Sequence, residues 1–505
     1  MSAQSIIVLL YIAVTVVIGV VSMKKSKTSD SFHGSEMALF AIIAASCGEW
    51  LGGTSTTAVS EYGFNYGLSG AWYTIANGIG VMFLAICFAK LYRSLNSVTV
   101  PGIIEKFFGV GARSVSSVLL TIVMLAVGLS QMIAAGKLGQ SLLGFPFVPT
   151  VVVFGILFIV YTLAGGMNAV ASTAKMHLFA MYIGVIIGIV FALYKIGGFK
   201  ELMTSLNSDN VSQATRDAVA QAGQTIKPET AGSFFNMFRI GMPKVSSWVI
   251  ASLLGACTAQ AGIQPVLAAK DVPTARKACF ITAFIVAPFG LFTAFLGIIS
   301  KGMFNKGIIL YDKAGTLLNG KSALPELMNY VNPIVGGIVL ASILAAIVST
   351  VSPIILSAGT MVTKDIYQRV LRPNATDAQV LKMSRITTAI SGVICTVAAI
   401  AFVDASALLD VVYAAYSLRG ALFIVVLFGI YWKVASGKAA CISMLLTGVV
   451  AILWKVIDIA TGTYPIASWL TETYAAVIIA AVSTVVFSLI FPRKPEDRVD
   501  LKLAK

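Results

Sequence analysis

The sequence predicts an all-α, polytopic membrane protein, and three observations support this prediction. Hydrophobic residues make up 58% of the 505 residues and charged residues only 11%, under half of the roughly 25% typical of soluble domains. The apolar residues form runs of about 20 residues or more, long enough for a helix to cross a bilayer. The basic residues lie in short clusters between these runs. This composition excludes a soluble enzyme, a disordered protein and a nucleic-acid-binding protein.

About thirteen transmembrane helices are expected, because thirteen apolar segments are each long enough to span. The first segment has no basic start and no small-residue cleavage site, so we interpret it as a span rather than a signal peptide. The expected cores of the spans are 4–23, 38–60, 69–92, 114–139, 148–166, 174–195, 246–268, 278–300, 331–360, 383–403, 405–432, 438–460 and 470–491.

The placement of positive charge predicts the orientation in a plasma (inner) membrane. Basic clusters follow every second span, from Lys24, Lys25 and Lys27 to the charged tail 492–505, and cytoplasmic loops are the ones enriched in Lys and Arg. The N-terminus is therefore expected outside and the C-terminus in the cytoplasm. The net charge of +15 then reflects topology rather than a nucleic-acid partner. We expect a monomer in the lipid bilayer.

Cysteine and histidine usage indicates neither disulfide nor metal chemistry. The six cysteines lie in or beside apolar segments and form no CxxC pair, so free buried thiols are expected. His33 and His177 are far apart in the sequence, so no histidine-based metal cluster is visible.

The second span has the composition of a broken helix. Between Ala45 and Thr57 it carries Glu49, the adjacent Gly52 and Gly53, and several hydroxyl residues. Irregular backbone at mid-membrane is tolerated only where it lines a cavity, and broken helices in transporters free carbonyls that coordinate cations. A tightly packed interface of small residues is the alternative interpretation.

The ninth span places the adjacent hydroxyls of Ser349 and Thr350 before Pro353. Alone, this pattern is typical of a packed, kinked helix. Together with the second span it favours a cation site, because neutral carbonyls and hydroxyls supply the oxygen ligands that hard cations prefer.

Four spaced motifs, in order along nearly the whole chain, resemble the sodium/solute symporter family, whose members carry solutes such as proline, pantothenate, sugars and sialic acid. The resemblance implies a LeuT-type fold with two five-helix inverted repeats, here 38–195 and 246–432, and a site at the membrane midplane. The first span and the last two, 438–491, would be peripheral. The motifs are Val100-Pro101-Gly102 with Glu105 to Gly109, Tyr161 to Val170 with its doubled glycine, Gln260 and Gln264 with Leu267 to Asp271, and Ala345 to Thr350 continuing through Ser357 to Asp365-Ile366-Tyr367.

The resemblance also implies site residues. Sodium would lie between the first and eighth core helices, and the substrate cavity between the first, second, sixth, seventh and tenth. The implied sodium ligands are the carbonyls of Gly48, Leu51 and Ala346 and the hydroxyls of Ser349 and Thr350, and the implied substrate residues are Trp50, Thr54, Ser55, Trp72 and Gln260.

The chain departs from the family pattern on the sodium exit path. Ala174 stands where the family has an aspartate that helps sodium leave to the cytoplasm, and His177 stands in place of a glutamine. The arginine usual after the second glutamine is Pro265, and an aromatic gate residue near Ala261 is missing.

Two charged residues lie within predicted spans, and the family resemblance explains neither of them. Glu49 and Arg419 are both at mid-membrane positions, where charged groups are costly and usually functional. They could pair as a structural or gating bridge, bind charged groups of the substrate (a zwitterion if both take part), or face water at a cavity mouth. We count both as candidate substrate-binding residues.

The resulting functional prediction is a sodium-coupled secondary active symporter, not an enzyme. It would import a small polar organic solute, such as an amino acid or a carboxylate, by alternating access.

Proton coupling through Glu49 is an alternative, because a buried carboxyl can exchange a proton near neutral pH. A channel is a further alternative, although no charged ring or repeated pore filter is visible. No HExxH or GxSxG motif supports a membrane enzyme.

Overall fold

The computed structural model describes residues 3–22, 28–33, 37–313, 315–403 and 408–493. The expected basic residues Lys24, Lys25, Lys27, Lys494 and Arg498 lie outside these ranges. Over the described ranges the secondary structure is helical, with two isolated β-bridges, Met37–Ala269 and Tyr311–Leu317. The helices are α1 Ala3–Ser22, α2 Ser29–His33, α3 Leu39–Trp50, α4 Val59–Tyr66, α5 Trp72–Phe83, α6 Ala89–Ser94, α7 Val100–Phe108, α8 Val110–Leu143, α9 Phe147–Ile196, α10 Phe199–Ser205, α11 Gln213–Gln221, α12 Ala231–Phe235, α13 Met242–Gly255, α14 Gln260–Leu267, α15 Val272–Asn305, α16 Gly320–Val331, α17 Pro333–Met361, α18 Asp377–Ala401, α19 Leu408–Tyr431, α20 Gly437–Thr461 and α21 Glu472–Ile490.

The number of spans is close to the prediction, but the count of thirteen is not confirmed. In the described ranges nine helices are long and apolar enough to cross a bilayer, and ten if the bent pair Met242–Thr258 and Gln260–Leu267 is counted as one. Shorter apolar helices occupy Ala3–Ile18, Leu39–Trp50 and Phe147–Leu163. Two of the predicted spans are interrupted, 38–60 at the end of α3 and 246–268 at the bend between α13 and α14.

Three interruptions shape the bundle. α3 ends at Trp50, and the chain resumes through a π-helical turn, Thr54–Ala58, into α4. α9 consists of two helices that meet at Gly166, whose φ of 53° and ψ of −141° are accessible to glycine without strain. α13 and α14 meet at a bend of 41°, which the sequence analysis did not anticipate.

Local sequence explains where the long helices begin. Asp271 caps α15 by accepting from Thr274 N at 2.7 Å. Asn332 caps α17 by accepting from Ile334 N at 2.8 Å, and proline follows in the first turn of both helices. Short polar caps satisfy the free N–H groups of the first turn, and proline costs nothing there.

α17 is the central helix of the bundle. Every residue from Val339 to Met361 is buried, and the helix packs against α1, α3, α8, α9 and α18. The middle of α17 carries the paired hydroxyls, so the fold places them in the protein interior beside α3.

Candidate functional site

The predicted break in the second span is present and lies next to Glu49. The last regular hydrogen bond of α3 runs from Leu51 N to Cys47 O at 2.8 Å, and Leu51 leaves helical geometry with φ −111° and ψ 54°. The ladder resumes with Thr56 N donating to Gly52 O at 3.2 Å. Helix ends expose carbonyls that need other partners, so this break offers oxygens inside the protein.

Gln131 of α8 fills part of the break, and the sequence analysis did not single it out. Its Oε1 accepts from Gly53 N at 2.7 Å, and its Nε2 donates to Thr54 Oγ1. The Ser55 hydroxyl donates to Gly52 O at 2.8 Å. The available signal was an amide in the middle of a predicted span, since a buried amide needs partners.

The centre of α17 contacts the break directly. The Thr350 hydroxyl donates to Gly48 O, and it also lies 3.1 Å from Ala346 O. The Ser349 hydroxyl donates to Ala346 O at 2.8 Å. Four of the five expected sodium ligands therefore meet in one place, and Leu51 is fully buried at the same break.

Two glycines make this approach possible. A Cβ on Gly48 would lie 2.5 Å from Ser349 O, and one on Gly52 would lie 2.2 Å from Thr350 Oγ1. The site is therefore a cradle of neutral oxygens that any side chain at either position would fill. This donor set fits a hard monovalent cation such as sodium, which needs oxygens and little negative charge.

Glu49 and Arg419 form a fully buried ion pair. Arg419 Nη1 donates to Glu49 Oε1 at 3.1 Å, and both side chains are 0% exposed. The guanidinium lies 3.7 Å from the centre of the Tyr416 ring and 5.2 Å from that of Trp50. Neither charge faces water at a cavity mouth in this structure, and of the three sequence interpretations the pairing is the one observed.

The pair links the break after α3 to the bend between α13 and α14. Glu49 is the penultimate residue of α3, before its break. On the other side, Thr258 Oγ1 donates to Arg419 O at 2.6 Å, and Thr258 lies in the 3₁₀ turn between α13 and α14. Charges and broken helices therefore meet at one point of the bundle.

The other candidate substrate residues divide into two groups. Trp50, Thr54 and Ser55 are buried at the break. The Trp72 indole instead donates to Met237 O at 2.9 Å in the long loop 196–245. The Gln260 amide accepts from Val100 N at 2.7 Å and therefore holds the start of α7. The described contacts do not bring Trp72 or Gln260 to the Glu49–Arg419 pair.

A cavity of about 990 Å³ opens beside the two long loops. Its lining includes Glu61, Lys137, Lys301 and Glu326, and Lys137 lies on α8 six positions after Gln131. None of the candidate sodium or substrate residues lines it. The site at the α3 break is therefore not part of this cavity, which we call the loop cavity.

Two of the sequence motifs, the one that starts at Val100 and the one that ends at Tyr367, meet at the start of α8, the end of that helix away from the loop cavity. Asp365 is buried and accepts from Thr99 Oγ1 at 2.7 Å, while Arg113 Nη2 lies 2.6 Å from it. Glu105 pairs with Arg113 and, at 2.6 Å, with Arg369 Nη2. Burial acts to raise the pKa of Glu105, but hydrogen bonds from Arg369 and Arg113 outweigh it and hold that pKa below its usual value. We call this group of four charged residues the Glu105 cluster.

Ala174 and His177, the two residues that depart from the family pattern on the sodium exit path, lie in a hydroxyl-rich region. His177 Nδ1 lies 2.5 Å from the Tyr11 hydroxyl, and Tyr161 contacts Thr173 through their hydroxyls. Ala174 is buried. Hydroxyl groups and an imidazole therefore occupy the region where the family pattern has an acid.

Most of the chain is similar in sequence to known membrane transporters. The model of the sodium:solute symporter family matches residues 32–448. The chain is 24% identical over 450 residues to the sodium/glucose cotransporter of Vibrio parahaemolyticus, covering 86% of this chain and 82% of that protein. It is 23% identical over 432 residues to the high-affinity proline transporter PutP of Bacillus subtilis (strain 168), covering 83% and 85%.

The fold has a close counterpart among solved structures. A Na⁺-coupled sialic acid symporter in a substrate-bound, outward-open state superposes with a TM-score of 0.75 at 18% identity, over 98% of this chain and 99% of that one. The fold is thus the LeuT type that the sequence predicts. The chain belongs to the sodium:solute symporter family, and it is a membrane transporter that couples the movement of a small solute to that of sodium.

Proposed function

We propose that the chain imports a small polar organic solute by binding sodium and the solute at the same break in α3. The observation that carries this proposal is the hydrogen bond from Thr350 to Gly48 O, which joins the paired hydroxyls of α17 to the freed end of α3. Sodium would be held by the carbonyls of Gly48, Leu51 and Ala346 and by the hydroxyls of Ser349 and Thr350.

The order of residues along the break supports coupling between the two ligands. Gly48 and Leu51 are the proposed sodium ligands, and Glu49 and Trp50 between them are proposed to face the solute. A sodium ion that holds the carbonyls of Gly48 and Leu51 in place also fixes the backbone of Glu49 and Trp50 between them. Such a link is a coupling free energy, so each ligand raises the affinity for the other by the same factor.

The remaining solute contacts are proposed at the same place. Thr54, Ser55 and Arg419 join Glu49 and Trp50, because all five are buried at or next to the break. Trp72 and Gln260 are placed outside the immediate site, since their polar groups are engaged elsewhere. The named solutes of the two relatives, glucose and proline, agree with a small polar substrate.

The orientation and the repeats follow as part of the proposal. The two inverted repeats are residues 38–195 and 246–432, with 4–23 and 438–491 peripheral. The N-terminus is outside and the tail 492–505 is cytoplasmic in the plasma membrane. The loop cavity is then the outer vestibule, and the Glu105 cluster closes the cytoplasmic side. Alternating access requires that only one side be open at a time.

Uptake into proteoliposomes tests the proposal. Full-length protein should concentrate a labelled solute when sodium is outside and potassium inside, and the accumulation should collapse when the sodium gradient is removed. Uptake that persists unchanged in potassium buffer, and instead follows an imposed pH gradient, would replace sodium with proton coupling. Flux that never exceeds equilibration would replace the symporter with a channel.

A further inference from the structure

The buried Glu49–Arg419 pair leaves most of its hydrogen-bonding capacity unused. The two side chains share a single hydrogen bond of 3.1 Å. Glu49 Oε2, Arg419 Nε and Arg419 Nη2 are buried with no hydrogen-bond partner among the described residues. Unsatisfied buried groups are rare because they lose water without compensation, and charged ones cost the most. These three atoms therefore mark a place where a ligand can bind.

The two free atoms of Arg419 form one edge of its guanidinium. Nε–H and one Nη2–H are parallel and lie in the plane of the group, and two parallel N–H donors hold a carboxylate in bidentate fashion. Gly255 packs close to Nε and leaves it unobstructed only because it has no side chain, since a Cβ there would lie 3.0 Å from Nε. Tyr416 lies 3.7 Å beneath the guanidinium and fixes its plane. This edge fits a carboxylate better than a hydroxyl or a cation.

The free oxygen of Glu49 adds a second requirement. A lone carboxylate on Arg419 would add a second negative charge to the buried pair and would leave Glu49 Oε2 without a donor. Sodium at the neighbouring carbonyls offsets part of that charge but does not donate a hydrogen bond to Oε2. An ammonium group on the same solute offsets the negative charge and also donates a hydrogen bond to Oε2. The net charge of the ion pair and the solute together is then zero. Uncompensated charge is strongly unfavourable in such a buried site.

We propose that the transported solute is a zwitterionic amino acid, with its carboxylate on Nε and Nη2 of Arg419 and its ammonium on Oε2 of Glu49. This inference rests on the proposed function, because it uses the same break in α3. It adds the substrate class and assigns one end of the solute to each half of the ion pair. Trp50, which contacts the guanidinium and packs against Gly262, closes the site on one side.

The first experiment is a thermal-shift panel on the full-length protein in sodium buffer. The probes are matched sets in which one group is removed: glycine with acetate and methylamine, β-alanine with propionate and ethylamine, γ-aminobutyrate with butyrate and propylamine, and L-proline with cyclopentanecarboxylate and pyrrolidine; glucose is added as a neutral polar solute. A ligand that binds the folded protein raises its unfolding temperature with occupancy. At least one amino acid should stabilise the wild-type protein at a concentration about tenfold or more below that of its matched carboxylate and amine, the ratio expected for one lost charge-assisted hydrogen bond. A response to glucose alone, or to the carboxylates as strongly as to the amino acids, would overturn the proposal.

Two conservative variants test the assignment of each end. Arg419→Lys keeps the charge but loses the two-donor edge, so the affinity for the amino acid should fall about tenfold or more. Glu49→Gln should instead lower the affinity for the amino acid, while the matched carboxylate binds as well as, or better than, it does to the wild type. The controls are the exposed Arg385→Lys and Asp217→Asn, which should behave as the wild type. Wild-type amino-acid affinity in Arg419→Lys would sink the assignment. If neither variant folds, the wild-type panel alone decides.

Thermal stabilisation by sodium alone distinguishes a failure of the proposed solute class from a failure of the proposed sodium site. Sodium added without solute should stabilise the wild-type, Arg419→Lys and Arg385→Lys proteins alike. If wild-type protein responds to amino acids but not to sodium, the sodium site is wrong and the solute class stands. If it responds to sodium and only to non-zwitterionic solutes, the sodium site stands and the solute class is wrong.

Discussion

The hydroxyl of Thr350 donates a hydrogen bond to the carbonyl oxygen of Gly48, which lies 302 positions earlier in the chain. This contact joins the centre of α17 to the last turn of α3. Both atoms are neutral oxygens, and both belong to the proposed sodium site. An ion that enters here replaces the hydroxyl as the partner of the carbonyl, so sodium binding and the geometry of the α3 break are linked.

Removal of the paired hydroxyls should weaken sodium binding. In the double variant Ser349→Ala, Thr350→Ala the site keeps its carbonyls but loses two of its five proposed ligands, and we expect sodium affinity to fall about tenfold or more, by analogy with the loss of one hydrogen bond to a charged group. Sodium-dependent thermal stabilisation measures this directly. Thr204→Ala, at an exposed threonine of α10, is the matched control. Wild-type sodium affinity in the double variant would disprove the ligand assignment.

A methyl group at Gly48 should disrupt the same site by sterics. The added Cβ would lie 2.5 Å from the backbone oxygen of Ser349, and backbone cannot move as freely as a flexible side chain. Overpacking of this kind costs about 1–3 kcal/mol, so Gly48→Ala should lower the unfolding temperature and abolish sodium stabilisation. Gly232→Ala is the control, because nothing lies within 4 Å of its Cβ. Equal stability of the two variants would show that α3 and α17 do not approach this closely.

The parts of the site that the sequence predicts are those encoded by local chemistry. Gly52 and Gly53 beside Glu49 indicate a helix that cannot continue across a bilayer, and the break is present. The paired hydroxyls of α17 are recognisable because polar pairs are rare in apolar spans. Their meeting with Gly48 came from the family resemblance, since composition alone does not tell which spans are neighbours.

The parts that the sequence does not predict depend on tertiary contacts. Gln131 reads as one amide in a long apolar span, and its partners, Gly53 and Thr54, are some 77 positions away. The bend between α13 and α14 has no proline or glycine pair at its centre. Gln260 is expected at the solute, and its amide accepts from Val100 N at the start of α7, a partner that the motif does not predict because a motif gives the residue type and not its contacts.

Gln131 should be required to hold the break in its present form. Gln131→Leu removes the acceptor for Gly53 N and the donor to Thr54 Oγ1, and an unsatisfied buried donor costs about 1–3 kcal/mol. We therefore expect lower thermal stability and a weaker response to sodium. The exposed Gln224→Leu serves as control. A Gln131→Leu protein as stable as that control, with an unchanged sodium response, would mean that the amide plays no part in shaping the site.

The orientation can be measured by labelling from outside the cell. In a cysteine-free background, a cysteine introduced at the exposed Asp217 should react with a membrane-impermeant maleimide in intact cells. One introduced at the exposed Asn374 should react only after the membrane is permeabilised. The expectation follows because basic loops stay in the cytoplasm. The reverse labelling pattern would invert the proposed topology, and the loop cavity would then open to the cytoplasm.

The Glu105 cluster should make the protein sensitive to acid. Hydrogen bonds from Arg369 and Arg113 outweigh burial and lower the pKa of Glu105, so the folded state favours the ionised carboxylate. Its stabilisation is fully present above the ordinary pKa of the carboxyl and is lost as the pH falls through the lowered value. Thermal unfolding followed across acidic pH should show this loss in the wild-type protein, and the loss should be smaller in Glu105→Gln. The Asp217→Asn protein should keep the wild-type profile. If Glu105→Gln keeps it too, the ionisation of Glu105 does not contribute to the acid response.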